Sequence, residues 1–219
     1  MLHDESWSAI VLAAGLGERM GGVAKPLIQL HDDTLLVRCM RELRAAGTSA
    51  LVCVTSSTYA QAMQSCVASA WPHDDAAVHW VTIDAGLPPA HSLRQGLHAM
   101  KPHNGPTLVC LADQPLIEAA DLRALLQAYV HRPANTDMVV PWVDNQPGNP
   151  VCLSPTLVTQ WLAHPDEPVG QAWRDQHPTR VHRWVSANPH YRVDLDTLED
   201  VASLRAKGFR VALPPTPSA

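Results

Sequence analysis

The sequence has 219 residues, 21 acidic side chains against 16 lysines and arginines, and a formal charge of -5 at pH 7. This length suits one α/β domain with a sizeable core. The acidic balance argues against the basic surface that nucleic-acid binding needs, and no apolar run approaches the length of a membrane span. Residues 1–8 are polar and acidic, without the basic and apolar parts of a signal peptide, so we expect a cytoplasmic protein.

The cysteines and histidines do not form a metal-binding pattern. The five cysteines are an odd number without a Cys-x-x-Cys pair, which favours reduced core thiols over zinc ligands or a redox couple. The 12 histidines contain no His-Glu-x-x-His spacing, so we do not expect a histidine-bound metal. Small molecules are therefore the expected partners.

Short runs rich in valine and isoleucine alternate along the chain with segments of helical periodicity. Strands separated by helix-length segments are typical of a parallel sheet with crossover helices. The pattern therefore predicts the α/β class. The predicted strands are residues 9–14, 50–55, 78–83, 107–112 and 137–141.

Capping residues indicate where helices begin and end. Thr34 provides an N-cap and Gly47 a stop for the first helix. Thr197 and Asp200 form a capping-box pattern for the last one. The predicted helices run from Thr34 to Gly47, from near Ser92, over residues 118–131, and from Thr197 to Gly208.

Proline and glycine mark the irregular parts of the chain. Residues 141–150 combine proline, glycine and asparagine, which predicts a loop. Residues 213–219 are proline-rich and predict a flexible C-terminal tail. Because no repeat or linker divides the rest, we assign residues 1–212 to one domain.

A glycine-rich segment, residues 11–26, follows the first predicted strand. Its glycines let backbone amides approach an anion, a helix opening just beyond would add its positive end, and Arg19 and Lys25 add two cations. This composition suits a triphosphate, and a simple glycine turn is the alternative. Two other nucleotide motifs do not fit, because Met20 replaces a dinucleotide-fingerprint glycine and Pro26 replaces the Walker-loop hydroxyl residue.

Three aspartates are candidate metal ligands. Asp113 follows the fourth predicted strand, at the edge where ligands bind in open α/β sheets. Asp194 and Asp196 alternate with Val193 and Leu195, which predicts a short strand with two carboxylates on one face. The alternatives are a turn capped by Asp113 and a solvated edge strand before the last helix, and of the pair we favour Asp196.

Ser92 and Arg94 are expected to open the second helix, where a hydroxyl and the amino end of a helix could meet nucleotide or acceptor. Ordinary helix capping explains Ser92 almost equally well. Trp142, in the predicted loop, is interpreted as a packing residue rather than a stacking platform.

Five motifs follow in order along the chain: Leu12-Ala13-Ala14-Gly15-x-Gly17-x-Arg19-Met20-Gly21 with Lys25-Pro26-Leu27, His91-Ser92-Leu93-Arg94-Gln95-Gly96-Leu97, Asp113-Gln114-Pro115, Gly148-Asn149-Pro150-Val151, and Asp194-Leu195-Asp196-Thr197-Leu198-Glu199-Asp200. Together they resemble the signature of the MobA-like nucleotidyltransferases, particularly the molybdenum-cofactor cytidylyltransferase branch. The chain departs from the family pattern at His91, where serine is usual, and at Asn149, where histidine is usual. Both residues are expected to border the acceptor pocket.

The resemblance implies a single three-layer Rossmann-like domain with a mostly parallel sheet, of the nucleotide-diphospho-sugar transferase type. It implies Mg²⁺-dependent transfer of CMP from CTP to the phosphate of a molybdopterin-type cofactor, with release of pyrophosphate. The family's Ala-Ala-Gly opening, here Ala13 to Gly15, goes with CTP, whereas Ala-Gly-Gly goes with GTP. The protein partner it suggests is a molybdoenzyme or its chaperone.

The resemblance also assigns roles to residues of this sequence. Arg19, Lys25 and Asp113 would be catalytic, and Asp113, Asp194 and Asp196 would hold Mg²⁺. No general base is needed, because the attacking phosphate oxygen is already ionised. The implied nucleotide-binding residues are Leu12, Ala13, Ala14, Gly15, Gly17, Arg19, Lys25, Ser92 and Arg94.

Three other functions compete with this interpretation. A guanylyltransferase or a sugar-phosphate nucleotidyltransferase would use the same scaffold. A glycosyltransferase ranks lower, although Asp194 to Asp196 reads Asp-x-Asp. A non-catalytic nucleotide- or cofactor-binding protein would keep nucleotide affinity but release no pyrophosphate.

Overall fold

A computed structural model describes residues 6–71, 78–100 and 104–214. Its strands are β1 (Ser8–Ala13), β2 (Gln29–Leu30), β3 (Asp33–Thr34), β4 (Ala50–Ser56), β5 (Val78–Ile83), β6 (Thr107–Leu111), β7 (Met138–Val143), β8 (Gln146–Pro147), β9 (Val151–Leu153), β10 (Val181–Val185) and β11 (Val211–Ala212). Its helices are α1 (Leu35–Ala46), α2 (Ala60–Ala70), α3 (Pro89–Ala99), α4 (Ala119–Val130), α5 (Pro155–Ala163), α6 (Gln171–Gln176) and α7 (Leu198–Ala206). Residues 1–5 and 215–219, which include most of the predicted tail, lie outside the described residues.

The main sheet has the order β10-β7-β9-β6-β1-β4-β5, and β8 pairs with β7. β1 lies between β4 and β6 and is parallel to both, β4 is parallel to β5, and β7 is parallel to β10. Within this sheet β9 runs antiparallel to β6 and β7, and β8 runs antiparallel to β7. The α/β class and the mostly parallel sheet are confirmed.

Helices cover both faces of the sheet because the side chains of β1 alternate between two apolar clusters. Ala9 and Val11 pack in one cluster with side chains of α1, α2 and α4, whereas Ile10 packs in the other with α3, α5 and α6. All three side chains are fully buried. The predicted three-layer arrangement is therefore confirmed.

Two predicted caps are present. The Thr34 hydroxyl accepts a hydrogen bond from the Val37 amide at 3.3 Å, and α1 ends at Gly47, whose φ of 98° is left-handed. At α7, Thr197 and Asp200 exchange the two hydrogen bonds of a capping box. These ends agree with the sequence because they depend on contacts within a few residues.

The predicted loop over residues 141–150 is wrong, because most of it is a hairpin. β7 continues to Val143, and β8 pairs antiparallel with it across a two-residue turn. Asp144 and Asn145 form the turn with φ values of 49° and 60°. Asp and Asn tolerate this left-handed conformation, and two such residues between short strands are the signal that the sequence offered.

Two further predictions need correction. Ser92 and Arg94 do not open the helix that was predicted to begin near Ser92. This helix is α3, which begins at Pro89, and a proline at the first helical position is the signal that was missed. Residues 193–196 form no strand, although Leu195 is fully buried in a third apolar cluster with side chains of α7 and the small sheet β11-β2-β3.

Among the described ranges, no helix combines the length and the apolar composition that crossing a bilayer requires.

Replacing Gly96 by alanine tests the close approach of α3 to the sheet. An added Cβ would lie 2.7 Å from Ile10 Cγ2 and 3.0 Å from Val54 Cγ2, and both neighbours are stiff β-branched side chains. We expect Gly96→Ala to lower the free energy of unfolding by about 1–3 kcal/mol despite the better helix propensity of alanine. Urea unfolding measures this, and His98→Ala, on the exposed face of the same helix, should change it little. An unchanged or raised stability of the Gly96 variant would contradict the packing.

Candidate active site

The loops after β1 and β6 meet at one edge of the sheet. The chain adds β4 and β5 on one side of β1 and then crosses back to add β6 on the other. In open α/β sheets, a crevice opens where the strand order reverses in this way, beyond the carboxyl ends of the strands. Gly15 follows β1 and Asp113 follows β6, so both motifs border that crevice.

The glycine-rich loop folds closely on itself around Gly17. Gly17 has a φ of 62°, and a Cβ there would lie 2.0 Å from the Val23 carbonyl oxygen. The amides of Met20 and Gly22 donate to the Gly17 carbonyl oxygen at 2.8 and 3.1 Å. Tyr59, which the sequence did not single out, donates its hydroxyl to the Gly22 carbonyl oxygen at 2.7 Å.

The expected helix just beyond this loop is absent from the described chain. Two short 3-10 turns, Glu18–Met20 and Lys25–Leu27, follow the first glycines, and the next α-helix begins at Leu35. The first of these turns is bordered by two left-handed glycines, Gly17 and Gly21. Anion binding at this loop must therefore depend on its own amides and cations rather than on a helix end.

Lys25 joins the first loop to two aspartates that are distant in sequence. Its ammonium group donates to Asp113 Oδ2 at 3.0 Å and to Asp196 Oδ1 at 2.5 Å. The Leu195 amide donates to the Asp113 carbonyl oxygen at 3.0 Å, which fixes the two aspartate segments against each other. Burial lowers the pKa of Lys25, but the charge of Asp113 and the hydrogen bonds to both carboxylates outweigh burial, so the pKa is raised.

Arg19 completes the cationic side of the cluster. Its Nη1 donates to Asp196 Oδ2 at 3.2 Å, and its side chain is 75% exposed. Because exposed ion pairs are weak, this contact leaves Arg19 free to exchange Asp196 for another anion.

Asp194 lies behind the cluster rather than on the crevice. Its Oδ1 is buried and makes no hydrogen bond within the described structure. Burial and the charges of Asp113 and Asp196 raise the pKa of Asp194 to about 6, while Gln114 and Lys25 lower it. This carboxyl group therefore changes charge close to neutral pH.

The crevice is a cleft of about 540 Å³, a size typical of small-ligand sites. It brings together nine predicted site residues: Leu12, Ala13, Ala14, Gly15, Gly17, Arg19, Lys25, Asp113 and Asp196. Its lining also includes three residues from the start of α3 and the segment before it that the sequence did not indicate: Gly86, Leu87 and Pro89.

Ser92 and Arg94 are not brought to this cleft. Because α3 begins at Pro89, Ser92 lies in the helix interior and is 4% exposed. Arg94 donates to the carbonyl oxygens of Trp161 and Glu167 at 2.8 and 2.5 Å, so it anchors the segment between α5 and α6.

A second pocket of about 690 Å³ adjoins the cleft and shares Leu12 and Pro89 with it. Asn149, which was expected to border an acceptor, lines this pocket. His91 is exposed and lines neither cavity. The segment from Val169 to Asp175, which the sequence did not single out, forms part of the pocket's lining.

Residues 9–181 match the MobA-like NTP transferase domain. The chain belongs to this family. Curated relatives include the Bifunctional protein GlmU of Chromobacterium violaceum, 34% identical over 57% of this chain and 26% of the relative, and that of Zymomonas mobilis, 30% identical over 67% of this chain and 32% of the relative. The chain thus spans between a quarter and a third of the length of these relatives.

Solved structures show the same fold over nearly the whole chain. Rv0371c of Mycobacterium tuberculosis superposes with a TM-score of 0.73 at 24% identity, covering 91% of this chain and 97% of that one. A nucleotidyl transferase from Methanothermobacter thermautotroptrophicus gives 0.70 at 23% identity, covering 92% and 97%. A further structure of Rv0371c is described as its complex with manganese.

The donor atoms of this MobA-like domain fit a hard divalent cation. Asp113 Oδ2 and Asp196 Oδ1 already converge on one cation, the Lys25 ammonium. The buried Asp194 Oδ1 without a partner is a third carboxylate oxygen nearby. No trio of His, Cys, Asp or Glu in the described ranges forms a ready-made metal site, so the rest of a metal's shell would come from ligand oxygens and water.

The raised pKa of Asp194 gives a pH-dependent test. A folded pKa of about 6 against an ordinary 3.8 means that the carboxylate costs stability as the pH rises through this interval, and costs nothing below it. We expect Asp194→Asn, measured in EDTA, to raise the free energy of unfolding by about 1–3 kcal/mol at pH 8 and by less than half of that near pH 4.5.

Urea unfolding at the two pH values measures the effect of Asp194→Asn. Asp84→Asn, at an exposed position just after β5, serves as the control and should change little at either pH. An equal gain at both pH values would show that packing, and not charge, explains the stabilisation.

Proposed function

We propose that the protein transfers CMP from CTP to the phosphate of a molybdopterin-type cofactor and releases pyrophosphate. The observation that carries the proposal is the meeting of Lys25, Asp113 and Asp196 beside the glycine-rich loop, next to a second pocket. One cavity is then available for the nucleotide and the adjoining one for the acceptor.

The cleft suits a nucleoside triphosphate in size and charge. Amides of the glycine-rich loop, together with Arg19 and Lys25, would contact the phosphates. Ala13, Ala14 and Gly15 line the cleft with small side chains that let a base approach the backbone. The Ala-Ala-Gly pattern of these residues supports CTP over GTP.

We propose Mg²⁺ as the metal, held by Asp113 and Asp196, with Asp194 behind them. When bound, the ion would neutralise charge on the triphosphate and orient its α-phosphate. Lys25 would then exchange its carboxylates for phosphate oxygens. This exchange keeps every charge paired in both states, since the acids receive the metal and the lysine receives the phosphates.

In the proposed step, an acceptor phosphate oxygen forms a bond to the α-phosphorus of CTP. The bond between the α-phosphorus and the oxygen that bridges it to the β-phosphate breaks, and this oxygen leaves with the β- and γ-phosphates as pyrophosphate. The acceptor oxygen is ionised at neutral pH, so no side chain has to remove a proton. Rate acceleration then depends on positioning and on charge neutralisation by Arg19 and Lys25.

A sugar-phosphate nucleotidyltransferase is the second candidate. This candidate is supported by the curated relatives named Bifunctional protein GlmU, whose matches cover more than half of this chain. In both candidates the acceptor carries a phosphate. They differ in the rest of the acceptor, which is a pterin or a sugar, and in the base of the nucleotide. For the pterin candidate we further propose a cytoplasmic location and delivery of the product to a molybdoenzyme or its chaperone.

Pyrophosphate release tests the proposal. CTP, GTP, ATP and UTP are each supplied with Mg²⁺, once with molybdopterin-type cofactor and once with a panel of sugar phosphates. Turnover confined to CTP and the pterin supports the proposal, and turnover with a sugar phosphate selects the second candidate. Nucleotide binding without turnover for any pair would refute both.

Asp113→Asn separates catalysis from folding. The substitution keeps the size of the side chain but removes a charge that would hold the metal, so we expect turnover to fall by about a hundredfold or more while the melting temperature changes little. Asp144→Asn, in the exposed hairpin turn, is a matched control and should retain full activity. A folded Asp113 variant with normal turnover would remove this residue from the metal site.

A further inference from the structure

We infer that Arg174 is the anion-binding residue of the second pocket and holds the phosphate of the acceptor. The inference rests on the proposed function only where it calls the ligand of the second pocket an acceptor. It concerns a residue of α6 that lies outside every motif of the sequence.

The second pocket is mostly apolar and, among the described residues, is lined by one basic side chain. Strand residues of β6, β7 and β9 contribute Val109, Leu111, Met138 and Val151 to its lining. Among the residues that line it, Arg174 is the only lysine, arginine or histidine. An apolar pocket with few polar groups binds the body of a ligand by burial and orients it through those groups.

Arg174 has donors to spare. Its side chain is 18% exposed, and its Nε donates to Asp175 Oδ1 at 3.0 Å. Within the part of the chain that the structure describes, its two terminal amino groups make no hydrogen bond. Asp175 therefore pairs with Nε of the guanidinium and leaves the fork of the two terminal amino groups unpaired. The side chain of Asp175 is itself 57% exposed.

A guanidinium so little exposed is costly unless an anion compensates it. One hydrogen bond to a half-exposed carboxylate replaces only part of the lost hydration. The free fork of an arginine matches two oxygens of a phosphate in a bidentate contact. A phosphate with an apolar or flat body therefore satisfies both the cation and the apolar lining of this pocket.

The position of Arg174 assigns its anion to the second pocket, next to the cleft proposed for the nucleotide. Arg174 lines the second pocket and is not among the residues lining the cleft, where Arg19 and Lys25 lie. The two cavities meet at Leu12 and Pro89, so an acceptor in the second pocket is adjacent to a nucleotide in the cleft. Arg94 supports this arrangement by anchoring the segment that leads to α6.

Direct binding tests the inference without any turnover. Phenyl phosphate and phenol differ only in the phosphate, and isothermal titration measures both against the full chain, with inorganic phosphate as a third probe. We expect phenyl phosphate to bind at least about tenfold more tightly than phenol, and Arg174→Met to abolish that difference. Arg174→Lys, which keeps the charge but loses the fork, should retain part of it.

Two controls assign the binding to one cavity. Arg123→Met, on the surface of α4, should leave the affinity for phenyl phosphate unchanged. Arg19→Met removes a cation of the cleft and detects phenyl phosphate that is bound there instead of in the second pocket. An affinity lost in the Arg19 variant and kept in the Arg174 variant would place the anion in the cleft and overturn the inference, as would equal binding of phenol and phenyl phosphate by the unaltered protein. Circular dichroism verifies that each variant is folded.

Kinetics distinguish this inference from the proposed function. With whichever acceptor supports turnover, Arg174→Met should raise the KM for the acceptor at least about tenfold and leave the KM for the nucleotide unchanged. Failure of CTP and the pterin to react would refute the proposed function and leave the phenyl phosphate result standing. A raised KM for the nucleotide with an unchanged KM for the acceptor would overturn the role of Arg174.

Discussion

The shared hydrogen bonding of one ammonium group holds the site together. Lys25 lies between Asp113 and Asp196, and without it the neighbouring carboxylates of Asp113, Asp194 and Asp196 would repel one another. The lysine therefore has a structural role and marks the position that a divalent cation would share. Because Arg19 reaches the same Asp196 from a more exposed position, the cations and acids form a network whose pairings can be exchanged without leaving a charge unpaired.

The topology of the sheet explains why this network can form. β1 and β6 are adjacent although α1, α2, α3, β4 and β5 separate them in sequence, so the glycine-rich loop and Asp113 meet at one edge. The amide of Leu195 then joins the last motif to the end of β6. The loop folds closely on itself because Gly17 has no Cβ to collide with the Val23 carbonyl oxygen, and Tyr59 donates a hydrogen bond to its far end.

The second pocket depends on a different set of contacts. Arg94 belongs to a motif of the family signature, yet its guanidinium satisfies two backbone carbonyl oxygens and supports the segment before α6. That segment leads into α6, which carries Arg174, the one basic residue among the described residues that line the pocket. The proposed division between a nucleotide cleft lined by Arg19 and Lys25 and an acceptor pocket lined by Arg174 corresponds to these two sets of contacts.

The sequence by itself determined features that depend on neighbouring residues: the strands β1, β4, β5, β6 and β7, the caps at Thr34 and Thr197, and the candidate residues of the first loop. It missed the start of α3 and the hairpin at Asp144, although Pro89 and the Asp144-Asn145 pair are local signals for them, and it did not indicate β9, β10, α2, α5 or α6. Which residues converge was decided only by the tertiary structure, since strand order places Asp113, Asp196 and Lys25 together and turns Ser92 inward. Arg174 could not be found from the sequence, because its burial and its unpaired donors arise from packing between segments that are far apart in the chain.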